Sequence, residues 1–278
     1  MKIPIIICIA CMAAACRHQA QLPTFAVCAG MADYASVAEA GYDYIETYVS
    51  YLMPDKSDAE FREHLDEINA QNAKIVSCVN FFPASLKITG SETKHPEALA
   101  WADSAFRRAQ AAGIPRIVFG SGGARKVPEG FDKQEATAQF VTFCKQLALS
   151  AERYGITVLI EPLNSNETNF INSLAEGAQI VEAVNHPNFK MVCDIYHMLR
   201  ENEPASEIVK YGAYIQHCHI AEKEERSAPG VKGDDFIPYF KALREIGYSG
   251  CVSVECKWKN MQEELKPALA YLKQQADF

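Results

Sequence analysis

The segment Ile156-Thr157-Val158-Leu159-Ile160-Glu161 is a run of five strand-forming residues closed by a carboxylate. Three later segments repeat that pattern: Met191-Val192-Cys193-Asp194, His217-Cys218-His219 and Cys251-Val252-Ser253-Val254-Glu255. The closing residues Glu161, Asp194, His219 and Glu255 lie 33, 25 and 36 positions apart. That is about one strand–helix unit each time. Near-continuous apolar runs of this kind describe parallel strands covered on both faces. Working outward, similar runs occupy 24–29, 42–49, 74–81, 116–120, 156–163, 190–196, 214–221 and 251–257. The stretches between them carry apolar residues three and four apart, as in Phe61, Leu65 and Ile68 or Phe140, Phe143, Leu147 and Ala151. Such spacing predicts helices. Gly41, Gly113, Gly155 and Gly247 stand just before the next strand, where helices stop.

Eight strand–helix units in about 250 residues predict an α/β fold, a (β/α)8 TIM barrel in a single domain over 24–278. An open doubly wound sheet usually has fewer strands and carries a G-x-G-x-x-G turn after the first one. Here that turn reads Ala29-Gly30-Met31-Ala32-Asp33. The chain of 278 residues is 49% apolar, enough for a large core, and its formal charge is −8. With no Lys/Arg run and more acidic than basic residues, it lacks the basic surface of a nucleic-acid binder. No apolar stretch reaches the ~20 residues that span a bilayer.

The N-terminus carries a separate signal. Lys2 precedes a short apolar run at 3–10, and Ala13-Ala14-Ala15 leads into Cys16. A positive start, a short apolar core and small residues describe an export signal over 1–15. Because the small residues end on Cys, the pattern resembles a bacterial lipoprotein signal. That resemblance implies a lipid anchor at Cys16, a tether over 16–23, and an exported chain in the periplasm or on the outer membrane. An ordinary secretory peptide and a buried first strand are the other readings. Seven cysteines remain beyond Cys16: Cys28, Cys78, Cys144, Cys193, Cys218, Cys251 and Cys256. Six sit in apolar runs, without zinc-type pairing, and read as core with at most one disulfide.

In a barrel, functional groups sit where the strands end. Four consecutive strands each present Glu161, Asp194, His219 or Glu255 at the same height. Three carboxylates and an imidazole gathered there would be held apart by like charge unless a cation lay between them. Hard oxygen donors with one imidazole suit a single divalent ion, Mn²⁺ or Mg²⁺.

The segments Glu161-Pro162-Leu163-Asn164 with Glu167-Thr168-Asn169-Phe170, Asp194-Ile195-Tyr196-His197-Met198 and His217-Cys218-His219-Ile220-Ala221-Glu222 resemble the xylose isomerase-like sugar isomerase/epimerase family. Within it they are most similar to ketose 3-epimerases and hydroxypyruvate isomerase-like proteins, over roughly 24–275. The resemblance implies that Glu161, Asp194, His219 and Glu255 ligate one divalent ion, and that Glu167 and His197 touch substrate hydroxyls. It implies a small sugar as partner. A metal-polarised carbonyl acidifies the adjacent C–H. Glu161 and Glu255, on the fifth and eighth strands, then form the acid/base pair that removes a proton on one face and returns one on the other through an enediolate. The family's epimerases carry a substrate-binding Arg six residues after the metal His. Here that position is Glu225, and Arg226 follows it. Either the loop 223–233 has shifted so that Arg226 serves, or the substrate end differs.

Several residues carry two readings each. Glu46, ending the second strand, bonds a substrate hydroxyl or braces the barrel mouth. Gly120-Ser121-Gly122-Gly123 is a tight turn or a phosphate cradle. His217 reads as a buried group one layer below His219, His18, His64, His95 and His186 as surface, and Trp101 and Trp258 as packing. Three other functions compete. An exported chain could act on 3-keto-glycosides as a lyase or hydrolase by elimination, with the same metal and bases. A non-catalytic sugar-binding lipoprotein would have no use for two opposed carboxylates. An abasic-site endonuclease would need more metals and a basic surface. A homodimer is left open.

Overall fold

The apolar runs become the staves of a closed barrel. The structure is a computed structural model that describes residues 23–278. The expected leader at 1–15, the anchor Cys16, His18 and the tether up to residue 22 lie outside the described residues. Eight parallel strands pair in chain order, and the last closes on the first. They are β1 (Thr24–Cys28), β2 (Tyr44–Tyr48), β3 (Ile75–Val79), β4 (Arg116–Phe119), β5 (Thr157–Ile160), β6 (Phe189–Asp194), β7 (Ile215–Ile220) and β8 (Cys251–Val254). Helices between them cover the outside. Gly41, Gly113, Gly155 and Gly247 all take positive φ at the helix ends, the left-handed turn for which glycine is suited.

Period-two alternation sorts each strand's side chains between inside and outside. Outward residues join the main core against the helices. Around β4 this core is a stack of rings: Phe119 meets Phe82 at 4.9 Å and Phe140 at 5.4 Å between ring centres. Each such buried ring stabilises the fold by about 1.5–3 kcal/mol, which fixes the end of β4 beside the site. Cys28, Val79, Val118, Leu159 and Val192 form a separate buried cluster from five strands. Glu161 and Asp194 follow Leu159 and Val192 by two residues and so share their inward side.

The structure moves some expected boundaries. β6 stops at Asp194, and Ile195–Glu201 is helical where the sequence suggested strand to residue 196. The cause is Asp194 itself, whose Oδ1 accepts the His197 backbone N–H at 3.2 Å and caps that helix. β5 and β8 end at Ile160 and Val254, so Glu161 and Glu255 stand just beyond their last paired residues. The surface reading of His95 is corrected: its Nε2 lies 2.8 Å from the Ile88 carbonyl oxygen, and its ring packs 5.1 Å from Phe143. His64 and His186 are likewise largely covered, with side chains 20% and 16% exposed. Trp101 packs and donates to the Phe81 carbonyl oxygen at 2.8 Å, and Trp258 packs against the core. The seven cysteines of the described residues are free thiols, six of them buried.

Candidate metal centre and active site

Four strand ends converge on one imidazole. His219, fully buried in β7, places Nδ1 2.6 Å from Glu161 Oε1, 3.2 Å from Glu255 Oε2 and 3.9 Å from Asp194 Oδ2. One donor atom from each of the four residues lies within 4.8 Å of all the others. Asp194 Oδ2 is buried and has no hydrogen-bond partner, the kind of orphaned oxygen a cation satisfies. Three carboxylate oxygens with one imidazole nitrogen fit a hard divalent ion in both charge and donor type. Burial pushes the Glu161 carboxyl above the usual carboxylate range, and the nearby His219 only partly offsets it. Burial works on Asp194 in the same sense, yet His197, Arg226 and His219 hold it below that range.

Glu161 and Glu255 line a cavity of about 150 Å³ whose walls also include Glu167, His197, Arg226 and Asn80. Gly120, at the end of β4, is small for a reason: a Cβ there would collide with Glu161 Oε2. Ser121 then takes a left-handed φ of 34°, and its Oγ accepts the Phe82 backbone N–H at 2.9 Å. The chain therefore turns at Gly120 and Ser121 against the site and enters a short helix, Gly122–Arg125.

The loop after β7 settles which residue reaches inward. Glu225 and Arg226 both take left-handed φ, 60° and 53°. This twist leaves Glu225 outside, 3.3 Å from Lys232 and 3.7 Å from Lys259. It turns Arg226 into the cavity, where Nη2 meets Glu255 Oε2 at 2.6 Å and Nε donates to the Glu255 carbonyl oxygen at 2.9 Å. The guanidinium stacks on Tyr196 at 4.6 Å from the ring centre and reaches within 3.7 Å of Glu167 Oε1.

Glu167 and His197 are drawn together by Asn164. The Asn164 backbone N–H donates to His197 Nδ1 at 3.1 Å, and its Nδ2 donates to Glu167 Oε1 at 2.8 Å. A backbone N–H can only donate, so Nδ1 accepts and Nε2 carries the ring proton. That nitrogen faces Asp194 Oδ2 at 3.3 Å.

Glu46 does not line the cavity. It is fully buried, with Oε1 2.5 Å from Ser77 Oγ and 3.1 Å from His217 Nε2, and Oε2 3.0 Å from His219 Nε2. Of its two readings the structure matches the brace, because both oxygens are committed inside the barrel. Burial would raise its carboxyl, but His219 and His217 hold it well below the usual carboxylate range. His217 lies beneath His219, as the two-residue spacing requires.

Three supporting residues escaped the sequence reading. Asn164 stands inside a quoted motif without a role of its own. Arg125, fully buried, donates from Nη2 to the Glu161 carbonyl oxygen at 2.7 Å, and burial pushes its guanidinium down to about 10. Glu222, also fully buried, accepts the backbone N–H groups of Gly230 at 2.8 Å and Gly233 at 2.9 Å, and that of Lys232, so it anchors the loop that carries Arg226. Its signal was legible: like Glu161, it is a carboxylate that directly follows an apolar run.

Comparison with known proteins finds sugar epimerases. The L-ribulose 3-epimerase of Methylomonas sp. (strain DH-1) is 28% identical over 270 residues, 86% of this chain and 89% of that protein. The D-psicose 3-epimerase of Agrobacterium fabrum is 28% identical over 79% of this chain and 76% of its own. A crystal structure of the D-allulose 3-epimerase from Methylomonas sp. in complex with D-allulose superposes with a TM-score of 0.75 at 25% identity, covering 91% of this chain and 97% of that one. The family model described as xylose isomerase-like TIM barrel matches residues 34–275. The chain belongs to the xylose isomerase-like TIM-barrel family.

Proposed function

We propose that the protein is a divalent-metal-dependent sugar epimerase that inverts the carbon next to the carbonyl of a small ketose. The observation that carries this reading is the convergence of Glu161, Asp194 and Glu255 on His219 Nδ1, with Glu161 and Glu255 lining a polar cavity. The relatives named for L-ribulose and D-psicose support the ketose assignment. Glu161, Asp194, His219 and Glu255 would hold the ion, Mn²⁺ or Mg²⁺. When bound, it supplies Lewis acidity that polarises the carbonyl and acidifies the neighbouring C–H.

The chain's own residues do the rest. Glu161 and Glu255 stand on non-adjacent strands, so they address the reacting carbon from different sides. One takes the proton while the C–H electron pair moves into the carbonyl to give an enediolate. The other delivers a proton to the opposite face. Arg226 keeps Glu255 oriented by gripping both its side chain and its main-chain oxygen, and it presents positive charge where oxyanion charge develops. His197 aims its fixed Nε2–H at Asp194 Oδ2 beside the cavity, and Glu167 accepts from a substrate hydroxyl. Asn164 sets the separation between those two.

The N-terminal pattern supports export, with Cys16 as the lipidated first residue of the mature chain. The test of function is turnover: Mn²⁺-loaded protein incubated with D-allulose, D-tagatose and L-ribulose is expected to yield the 3-epimer of at least one. No conversion of these ketoses, with 3-keto-glucosides consumed instead, would overturn the substrate class.

A further inference from the structure

The polar chain inside the barrel has a second consequence, which rests on the metal reading above. We propose that Glu46 is a positioning residue that holds the His219 imidazole in the orientation and tautomer an ion needs. Glu46, Ser77, His217 and His219 come from β2, β3 and β7, and each is sealed from solvent. Ser77 Oγ donates to Glu46 Oε1 at 2.5 Å, and His217 Nε2 lies 3.1 Å from the same oxygen. Oε1 is therefore occupied, and Oε2 is turned to His219 Nε2 at 3.0 Å. Oε2 and that nitrogen are both buried, and neither has a hydrogen-bond partner elsewhere. They are each other's only means of satisfaction.

The chemistry follows from that pairing. A carboxylate oxygen offers only lone pairs, so each imidazole nitrogen that faces one, Nε2 toward Glu46 and Nδ1 toward Glu161, needs a proton or a cation between them. An ion held among Glu161, Glu255 and Asp194 would take the place of a proton on Nδ1 and leave the one ring proton on Nε2, where Glu46 accepts it. A carboxylate behind a ligating histidine fixes the ring and raises its basicity. Ser77 and His217 hold that carboxylate, so the whole chain stiffens one ligand. Glu46, His217 and His219 also have donor atoms within 4.8 Å of one another, so a second ion is the competing use of the same groups.

The experiment is Mn²⁺ titration, by calorimetry, of the wild type, Glu46→Gln and Ser77→Ala. The amide keeps the shape of Glu46 but offers an N–H toward His219 and shifts the ring proton to Nδ1. Glu46→Gln is expected to weaken Mn²⁺ binding about 10- to 100-fold, with a smaller loss for Ser77→Ala. In the Mg²⁺-loaded wild type, long-range ¹H–¹⁵N correlation should show His219 protonated at Nε2, with the signal assigned through His219→Asn. This readout stands even if Glu46→Gln fails to fold. Unchanged Mn²⁺ affinity in Glu46→Gln, or a His219 proton on Nδ1, would overturn the proposal. Two ions per wild-type chain, one of them lost in Glu46→Gln, would overturn it in favour of the second site. Wild-type protein that takes no ion would overturn the metal reading itself, and this inference with it.

Discussion

Gly120→Ala tests whether the end of β4 is shaped around Glu161. Gly120 is buried with an ordinary backbone conformation, so alanine meets no dihedral penalty there. The added Cβ would collide with Glu161 Oε2 and lie 3.6 Å from Glu161 Cδ. To reach normal contact, that oxygen must retreat by about 1 Å. It has little freedom to do so, since Oε1 is 2.6 Å from His219 Nδ1 and the side chain is only 7% exposed. A displacement of ~1 Å at a reacting group costs on the order of 10²-fold in rate, or about 2.7 kcal/mol of transition-state stabilisation. Global stability should fall by about 1–3 kcal/mol, because the added methyl overpacks a side chain already committed to His219. The assay pairs kcat/KM on the ketose found in the substrate screen with thermal melting. A variant that melts like the wild type and turns over like the wild type would refute the reasoning.

Other outcomes are as specific. Burial pushes Glu203 up to about 7, with Glu207, Glu201 and Glu176 adding to the shift. The folded state therefore binds its proton more tightly than the unfolded chain, and the stability present at low pH is lost as pH rises through about 7. Glu203→Gln should melt progressively higher than the wild type between pH 5 and pH 8, by about 2 °C at the upper end for ~1 kcal/mol after allowing for partial exposure; a constant offset would contradict this. Arg226→Lys cannot grip both oxygens of Glu255, so kcat/KM should fall at least ~10-fold, whereas Glu225→Ala should stay within about 2-fold. The reverse ranking would restore Glu225 to the site. Mass spectrometry of protein from its native cell should find Cys16 as a lipidated N-terminus, and an intact Met1 would exclude export.

Much of the fold was legible because barrel strands advertise themselves. An apolar run buried on both faces needs no long-range information to be recognised, and Gly41 or Gly155 marks its preceding helix end by a local backbone requirement. The four ligand candidates were legible for the same reason: each polar residue interrupts an apolar run at the same point of the repeat. What remained hidden depends on contacts across the sequence. Glu46 meets His219 over 173 positions, and nothing near Glu46 tells a substrate contact from a brace. Arg125 acts through the backbone of Glu161, and such a contact leaves no trace in spacing. The choice between Glu225 and Arg226 turned on two consecutive left-handed residues, a conformation that neither side chain favours and that the buried Glu222 holds in place.

Solvent isotope incorporation tests the central claim most directly. Metal-loaded protein turning over its ketose in D₂O should place deuterium on the carbon next to the carbonyl, because Glu161 and Glu255 exchange protons with solvent between abstraction and return. Glu161→Gln and Glu255→Gln should each lose at least ~10²-fold in that incorporation, the usual scale for a positioned acid or base. Product formed with no deuterium at that carbon would contradict the account, since the hydrogen would then have moved within the substrate without passing through either carboxylate.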